Sequence, residues 1–151
     1  MTSTQETNEE TVRRQNRAFS EKRLDELLAC FSDDAVQHEP FVERPIAGKA
    51  ALRDYYLGSF EYFPDETVTI ERLVSTGPVV VGQWVCRGTQ HGEFMGLAPT
   101  GRRFDVPECG FYEFGEDGLI KELWVYVDSG TIAKQLGYRF ERDPAVRSVE
   151  V

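Results

Sequence analysis

The sequence predicts an α+β domain, with helices first and a long antiparallel sheet after them, on two observations. Up to about residue 60 the apolar residues recur at helical spacing. From Glu66 onward they alternate with period two and become rich in β-branched and aromatic types. A run of helices followed by a run of strands is an α+β order, unlike the alternating βαβ order of a parallel sheet.

Taken along the chain, segment 6–19 carries Val12 and Phe19 on one helical stripe, with Gln15 between them as a polar residue on an inward face. Leu24, Leu27, Leu28 and Phe31 fall at i, i+3, i+4 and i+7, the spacing of a second helix. Ser32-Asp33-Asp34 reads as a break. Segment 35–40 then reads as a short strand that Pro40 ends, because proline supplies no ladder donor. Gly48 opens a third helix over 49–60, whose Leu52, Tyr55, Tyr56 and Phe60 make a broad apolar and aromatic side. Four long strands are expected at 67–74, 79–89, 104–114 and 119–127. Thr76-Gly77-Pro78 and the segment Gly115 to Gly118 supply tight turns, and 92–101 supplies a wider connection. A last short helix is expected over 131–136, ended by Gly137. The segment 138–151 alternates charges without an apolar face and is expected to be flexible. With no repeat and no linker, a single domain over 1–151 is expected, its ordered core at about 8–137.

A chain of 151 residues is long enough to bury one real core. Seventeen Lys and Arg against twenty-six Asp and Glu give a net charge of -9, which repels phosphate backbones and anionic lipid surfaces, so neither nucleic acid nor membrane is an expected partner. No stretch approaches the ~20 apolar residues of a membrane span. Segment 1–10 lacks the basic and apolar regions of a secretory signal, and a cytoplasmic protein is the expectation. Cys30, Cys86 and Cys109 are far apart and lie in apolar segments, as buried thiols do. No CxxC or HxxxH spacing occurs, so neither a metal site nor another cofactor is expected.

The segment Arg87-Gly-Thr-Gln-His-Gly-Glu-Phe-Met-Gly-Leu-Ala-Pro-Thr-Gly-Arg102 joins a strand end, a G-E-F-M-G turn and a P-T-G-R turn. With Ser32-Asp-Asp-Ala-Val-Gln-His-Glu-Pro40, the Asp117-Gly118-Leu-Ile turn, Trp124-x-x-x-Asp128 and Gln135-Leu-Gly137, it resembles the SnoaL-like polyketide cyclases over about residues 8–137. The resemblance implies the nuclear-transport-factor-like fold, a cone-shaped barrel in which a curved, mostly antiparallel sheet wraps on N-terminal helices around an apolar pocket, usually as a homodimer. Ketosteroid isomerases, scytalone dehydratases and limonene epoxide hydrolases share that fold. It implies cofactor-independent cyclisation, isomerisation or hydration of a small hydrophobic molecule, such as a polyketide- or terpenoid-like intermediate. Fold alone does not fix function, and a non-catalytic small-molecule-binding module of the same fold is the alternative.

Similarity to ketosteroid isomerases puts a carboxylate base immediately before Pro40, at Glu39, with His38 preceding it; apolar walls would raise its proton affinity. The plainer reading is a solvated glutamate and a histidine at a strand end. The isomerase oxyanion-hole tyrosine falls near Gln15, and the protonated acid of the third strand near Gly110. Glu108 and Tyr112 share the strand parity of Gly110, which makes Glu108 a candidate buried acid, although Pro107 beside it points to an irregular position. The His and Asp of the aldol cyclases' E-H-W-D strand are replaced here by Leu123 and Val125. The family's T-H-x-G reads Thr89-Gln90-His91-Gly92, with histidine displaced by one. Asp128 matches the second aspartate of the family motif and also stands where a helix N-cap belongs. The candidate catalytic residues are Glu39, His38, Glu108 and Asp128. The candidate substrate contacts are Gln15, Tyr56, Phe60, Trp84, Tyr112, Leu123 and Val125, with Tyr55, Phe94, Met95, Trp124 and Tyr126 as further aromatic or apolar residues for pocket or core.

Overall fold

The structure is a computed structural model that describes residues 3–149. Helix α1 (Thr4–Ser20) starts at a capping box, in which the Ser3 hydroxyl accepts from the Glu6 N–H at 3.1 Å and the Glu6 carboxylate accepts from the Ser3 N–H at 2.7 Å. Its inner side buries Val12, Gln15, Asn16 and Ala18. Helix α2 (Leu24–Leu28) ends earlier than the periodicity predicts, because Phe31 is already the first residue of strand β1 (Phe31–His38). Phe31 is fully buried, as an i+7 residue should be, but it pairs with Ile120, and the Ile120 N–H donates to the Cys30 carbonyl at 2.9 Å. Pairing with a distant strand overrides the local helical signal. The Ser32-Asp33-Asp34 break survives as a register irregularity between Phe31 and Val36, with both aspartates exposed.

Strand β2 (Ile46–Ala47) is too short to show a period in the sequence. Helix α3 (Lys49–Tyr62) follows Gly48, whose φ of 87° lies in the region that favours glycine. Strands β3 (Thr67–Thr76), β4 (Val79–Thr89), β5 (Arg103–Phe114) and β6 (Ile120–Val127) then form an antiparallel meander, and helix α4 (Ser129–Gln135) closes the order. The six strands make one sheet in the order β2-β1-β6-β5-β4-β3, with β1 parallel to β6 and every other pair antiparallel. Irregularities between Ile70 and Arg72 and between Glu113 and Phe114 add twist, and they help curve the sheet around α1 and α3.

One feature of the inner face decides the shape of the site. Gly82 and Gly110 are direct partners across β4 and β5. A Cβ on Gly110 would come within 2.6 Å of the Trp84 ring, and one on Gly82 within 3.2 Å. Bare backbone on both strands therefore lets the Trp84 indole lie against the sheet. The position that the isomerase resemblance gives to an acid is here filled by an aromatic ring.

Candidate active site

Strand alternation sorts the candidate residues before any chemistry is considered. On β1, Gln37 is buried and faces inward; His38 faces out; Glu39, just past the strand, comes back to the inner side. On β5 the even positions point inward, which carries Glu108 and Tyr112 to the same side as Gly110. On β6 the inward residues are Leu123, Val125 and Val127. Between these strands and helices α1 and α3 lies a cavity of about 90 Å³.

Gln15, Tyr56, Trp84, Tyr112, Leu123, Val125, Glu39 and Glu108 all line that cavity. Three sequence candidates lie elsewhere. The His38 ring stacks on Trp124 with centroids 3.4 Å apart and planes 7° from parallel, and its Nε2 is 2.8 Å from Glu122 Oε1, all on the outer face of the sheet. Neighbouring residues of a strand cannot both face the cavity, so Glu39 excludes His38. Asp128 is exposed and caps α4: its Oδ1 accepts from the Thr131 N–H at 2.9 Å and its Oδ2 from the Thr131 hydroxyl at 2.6 Å. Those bonds hold its carboxyl below the ordinary range. Phe60 packs outside the lining, 5.8 Å from Phe19, with the Lys22 ammonium 5.2 Å from its ring centre. Trp124, Tyr126 and Met95 are exposed.

Two carboxyl groups in the cavity are far from their ordinary behaviour. Burial pushes Glu39 from 4.5 up to about 7, helped by the charge of Glu66 and opposed by the hydrogen bonds of Gln37 and Tyr55. Its Oε1 accepts from Gln37 Nε2 at 2.6 Å, and Gln37 Oε1 accepts from the Tyr56 hydroxyl at 2.6 Å. Burial pushes Glu108 up to about 8, with the charges of Glu66 and Glu39 adding to it. Its Oε2 accepts from Trp84 Nε1 at 2.8 Å, the bond made possible by the glycine seat under the indole.

Two participants escaped the sequence reading. Glu66 stands one residue before β3, where it accepts from the Ser59 hydroxyl at 2.9 Å and from the Cys86 thiol at 3.1 Å; burial raises its pKa too. It shares the parity of the inward Val68 and Ile70, and that alternation was the available signal. Asn16, buried beside Gln15, donates to the Tyr112 hydroxyl at 3.1 Å and to Gln15 Oε1 at 3.0 Å. It thereby fixes both groups at the α1 wall. Among the described residues no three His, Cys, Asp or Glu side chains converge to hold a metal ion, and no helix is long and apolar enough to cross a membrane.

The family description SnoaL-like polyketide cyclase matches residues 9–136, the whole of the cavity-forming fold. The chain belongs to the SnoaL-like polyketide cyclase family. Among solved structures it is similar to IdmH, a candidate polyketide cyclase from Streptomyces antibioticus, at 30% identity and a TM-score of 0.75, covering 87% of this chain and 99% of that one. TsrD from Streptomyces laurentii is 26% identical with a TM-score of 0.76, covering 87% and 95%. A SnoaL-like protein from Jannaschia sp. CCS1, at 22% identity and a TM-score of 0.81 over 92% and 97%, shows the shared fold. A comparison with curated proteins gives no match. On β6 the cavity wall is apolar, at Leu123 and Val125, and the titratable groups Glu39, Glu66 and Glu108 line the same cavity, with Glu39 and Glu108 coming from the two strands that flank β6.

Proposed function

We propose that the chain is a cofactor-independent enzyme that isomerises or cyclises a small hydrophobic carbonyl compound through an enol or enolate. In this reading Glu39 is the base and Glu108 the neutral acid beside the carbonyl oxygen. The observation that carries the reading is the pair of carboxyls held at about 7 and about 8 in one cavity. A base is most effective when its pKa lies near the working pH, and a carboxylic acid kept protonated near neutrality can donate a hydrogen bond to developing charge. With one oxygen of Glu108 held by Trp84, the other is left for substrate. The proton leaving an α-carbon passes to Glu39 while Glu108 stabilises the enolate oxygen. Its return to a different carbon completes an isomerisation; attack of the enolate carbon on a second carbonyl of the same molecule, with the proton passing from Glu39 to the new alkoxide, completes an aldol cyclisation. The Gln15 amide adds a polar group at the α1 wall, and Leu123 and Val125 add apolar ones from β6.

The test is turnover of an unconjugated cyclohexenone to its conjugated isomer, followed by ultraviolet absorbance as a function of pH. The expected profile of kcat/KM is a narrow bell with limbs near about 7 and 8, the first from deprotonation of Glu39 and the second from that of Glu108. A rate that rises to a plateau with a midpoint near 4.5 contradicts the assignment.

The outer face of the sheet supports a homodimer in the same reading. Phe111, Trp124 and Tyr126 are 44%, 43% and 53% exposed there, and large apolar patches of this kind mark interfaces. Light scattering is expected to give twice the chain mass for the wild type and the chain mass for Trp124→Lys combined with Tyr126→Lys. A wild-type monomer sinks this proposal.

A further inference from the structure

Gln37 and Glu39 share strand parity, so both turn to the inner side of the sheet, and the side chain that meets Gln37 from α3 is Tyr56. All three line the cavity. Gln37 and Tyr56 are only 2% and 3% exposed. The backbone of Gln37 is held from both sides, paired with Ile46 of β2 and with Leu123 of β6. The Tyr56 ring is packed by Phe19, edge-on with centroids 6.0 Å apart, and by Phe31 at 6.4 Å. The pair is thus anchored by the sheet at one end and by ring packing at the other.

A buried glutamine has two unlike ends, and its partners decide which way it points. As a carboxylate Glu39 only accepts, so the end 2.6 Å from its Oε1 has to be the Gln37 amino group. The Gln37 carbonyl oxygen then faces Tyr56, whose hydroxyl donates to it at 2.6 Å. Burial holds the Tyr56 phenol well above its ordinary pKa, with the charge of Glu39 adding to it, so the hydroxyl keeps its proton. The donors therefore run one way, from Tyr56 through Gln37 to Glu39. The same direction serves the protonated base. A neutral carboxyl accepts better at its carbonyl oxygen than at its hydroxyl oxygen, so the Gln37 N–H favours Oε1 as the carbonyl and puts the proton on Oε2. The base then gains and loses its proton with no reversal of the amide or the phenol, which is preorganisation of the kind that speeds proton transfer.

We infer that Tyr56 and Gln37 are positioning residues for Glu39: the Tyr56 hydroxyl fixes the direction of the Gln37 amide, and that amide commits Oε1 as an acceptor and leaves Oε2 to take the substrate proton. The role of the proton rests on Glu39 being the base proposed above, whereas the hydrogen-bonded chain does not. A hydrogen bond from Tyr55 and the charge of Glu66 also act on this carboxyl, and substitutions at positions 37 and 56 leave both in place.

The experiment compares Gln37→Leu, Tyr56→Phe and the double variant by carbon-13 titration of the glutamate carboxyls, by cyclohexenone kinetics, and by calorimetry with phenol, whose oxygen stands in for an enol. The Gln37 bond favours the charged form of Glu39, so its loss in Gln37→Leu is expected to move the Glu39 resonance upward from about 7, by about one pH unit, and the acid limb of kcat/KM with it. A fall in kcat of roughly 10- to 100-fold is expected for Gln37→Leu and of roughly 10-fold for Tyr56→Phe, with phenol affinity within about threefold of wild type. Tyr56→Phe keeps the ring packing and so reads the hydroxyl by itself. The double variant leaves no phenol hydroxyl unpaired and is expected to be no slower than Gln37→Leu alone, because Tyr56 acts through Gln37. A Glu39 titration still near about 7 in Gln37→Leu, kcat losses that multiply in the double variant, or a phenol affinity that falls in step with kcat overturns the inference. The carboxyl titration needs no turnover. Unchanged kcat in Glu39→Gln counts against the base reading alone, and an unmoved Glu39 titration in an active Gln37→Leu enzyme counts against the positioning chain alone.

Discussion

Replacing Glu108 with glutamine is expected to remove turnover and, at alkaline pH, to make the protein more stable. The sign follows from linkage. The carboxyl moves from an ordinary 4.5 to about 8 on folding, so between those values the folded state holds a proton that the unfolded state has released. The stability this proton brings is complete below about 4.5 and is lost as pH rises through about 8, when folding has to keep a charged carboxylate in the cavity. Glutamine is neutral throughout and carries no such loss. The shift sets a ceiling of about 5 kcal/mol. Glu108 is only partly buried, and solvent screening reduces the effect to about 2 kcal/mol. At this chain length that is a gain of roughly 4–8 °C in Tm at pH 9. The gap between Glu108→Gln and wild type is expected to widen from pH 5 to about pH 8 in thermal melts and then to level off. A gap that does not change with pH means that Glu108 titrates as an ordinary glutamate.

Glu39→Gln is expected to lower kcat by about 10²- to 10⁴-fold, the usual contribution of a positioned general base. The amide keeps the size of the carboxyl and can still accept from Gln37 Nε2, so the cavity and the affinity for phenol are retained. Any residual rate should lose its acid limb near about 7, because the group responsible is gone, while keeping the alkaline limb of Glu108. Steady-state kinetics on the cyclohexenone and calorimetry with phenol check the two halves separately. Unchanged kcat removes Glu39 from the base role. Weakened phenol binding with unchanged kcat assigns it to binding instead.

Much of this architecture was legible in the amino-acid pattern because it is local. Strand β4 spans the residues its alternation marks, and the parity of β5 carries Glu108 and Tyr112 inward together. Leu123 and Val125 came from the family resemblance, and the alternation of β6 puts both on the inner side. What was missed depends on long-range pairing or on the edge of a pattern. The second helix gives way at Phe31 because that residue pairs with Ile120, almost ninety positions away in sequence. His38 and Glu39 both attract attention as titratable neighbours, yet alternation allows only one of them into the cavity. Glu66 stands one residue ahead of β3, and its inward position shows only when the parity of Val68 and Ile70 is carried back to it. The Trp84 seat needs Gly82 and Gly110 to be partners across two strands, a register that no single segment reveals. It explains why an acid displaced by two residues, Glu108, meets the indole N–H.

Carbon-13 NMR of the protein labelled at glutamate side-chain carboxyls, titrated from pH 3 to pH 10, reads the protonation of Glu39 and Glu108 themselves. The account predicts resonances that titrate near about 7 and about 8, the first absent from Glu39→Gln and the second from Glu108→Gln. A spectrum in which every glutamate carboxyl titrates below about 5.5 contradicts it, because neither a base nor a neutral acid would then stand ready in the cavity at neutral pH.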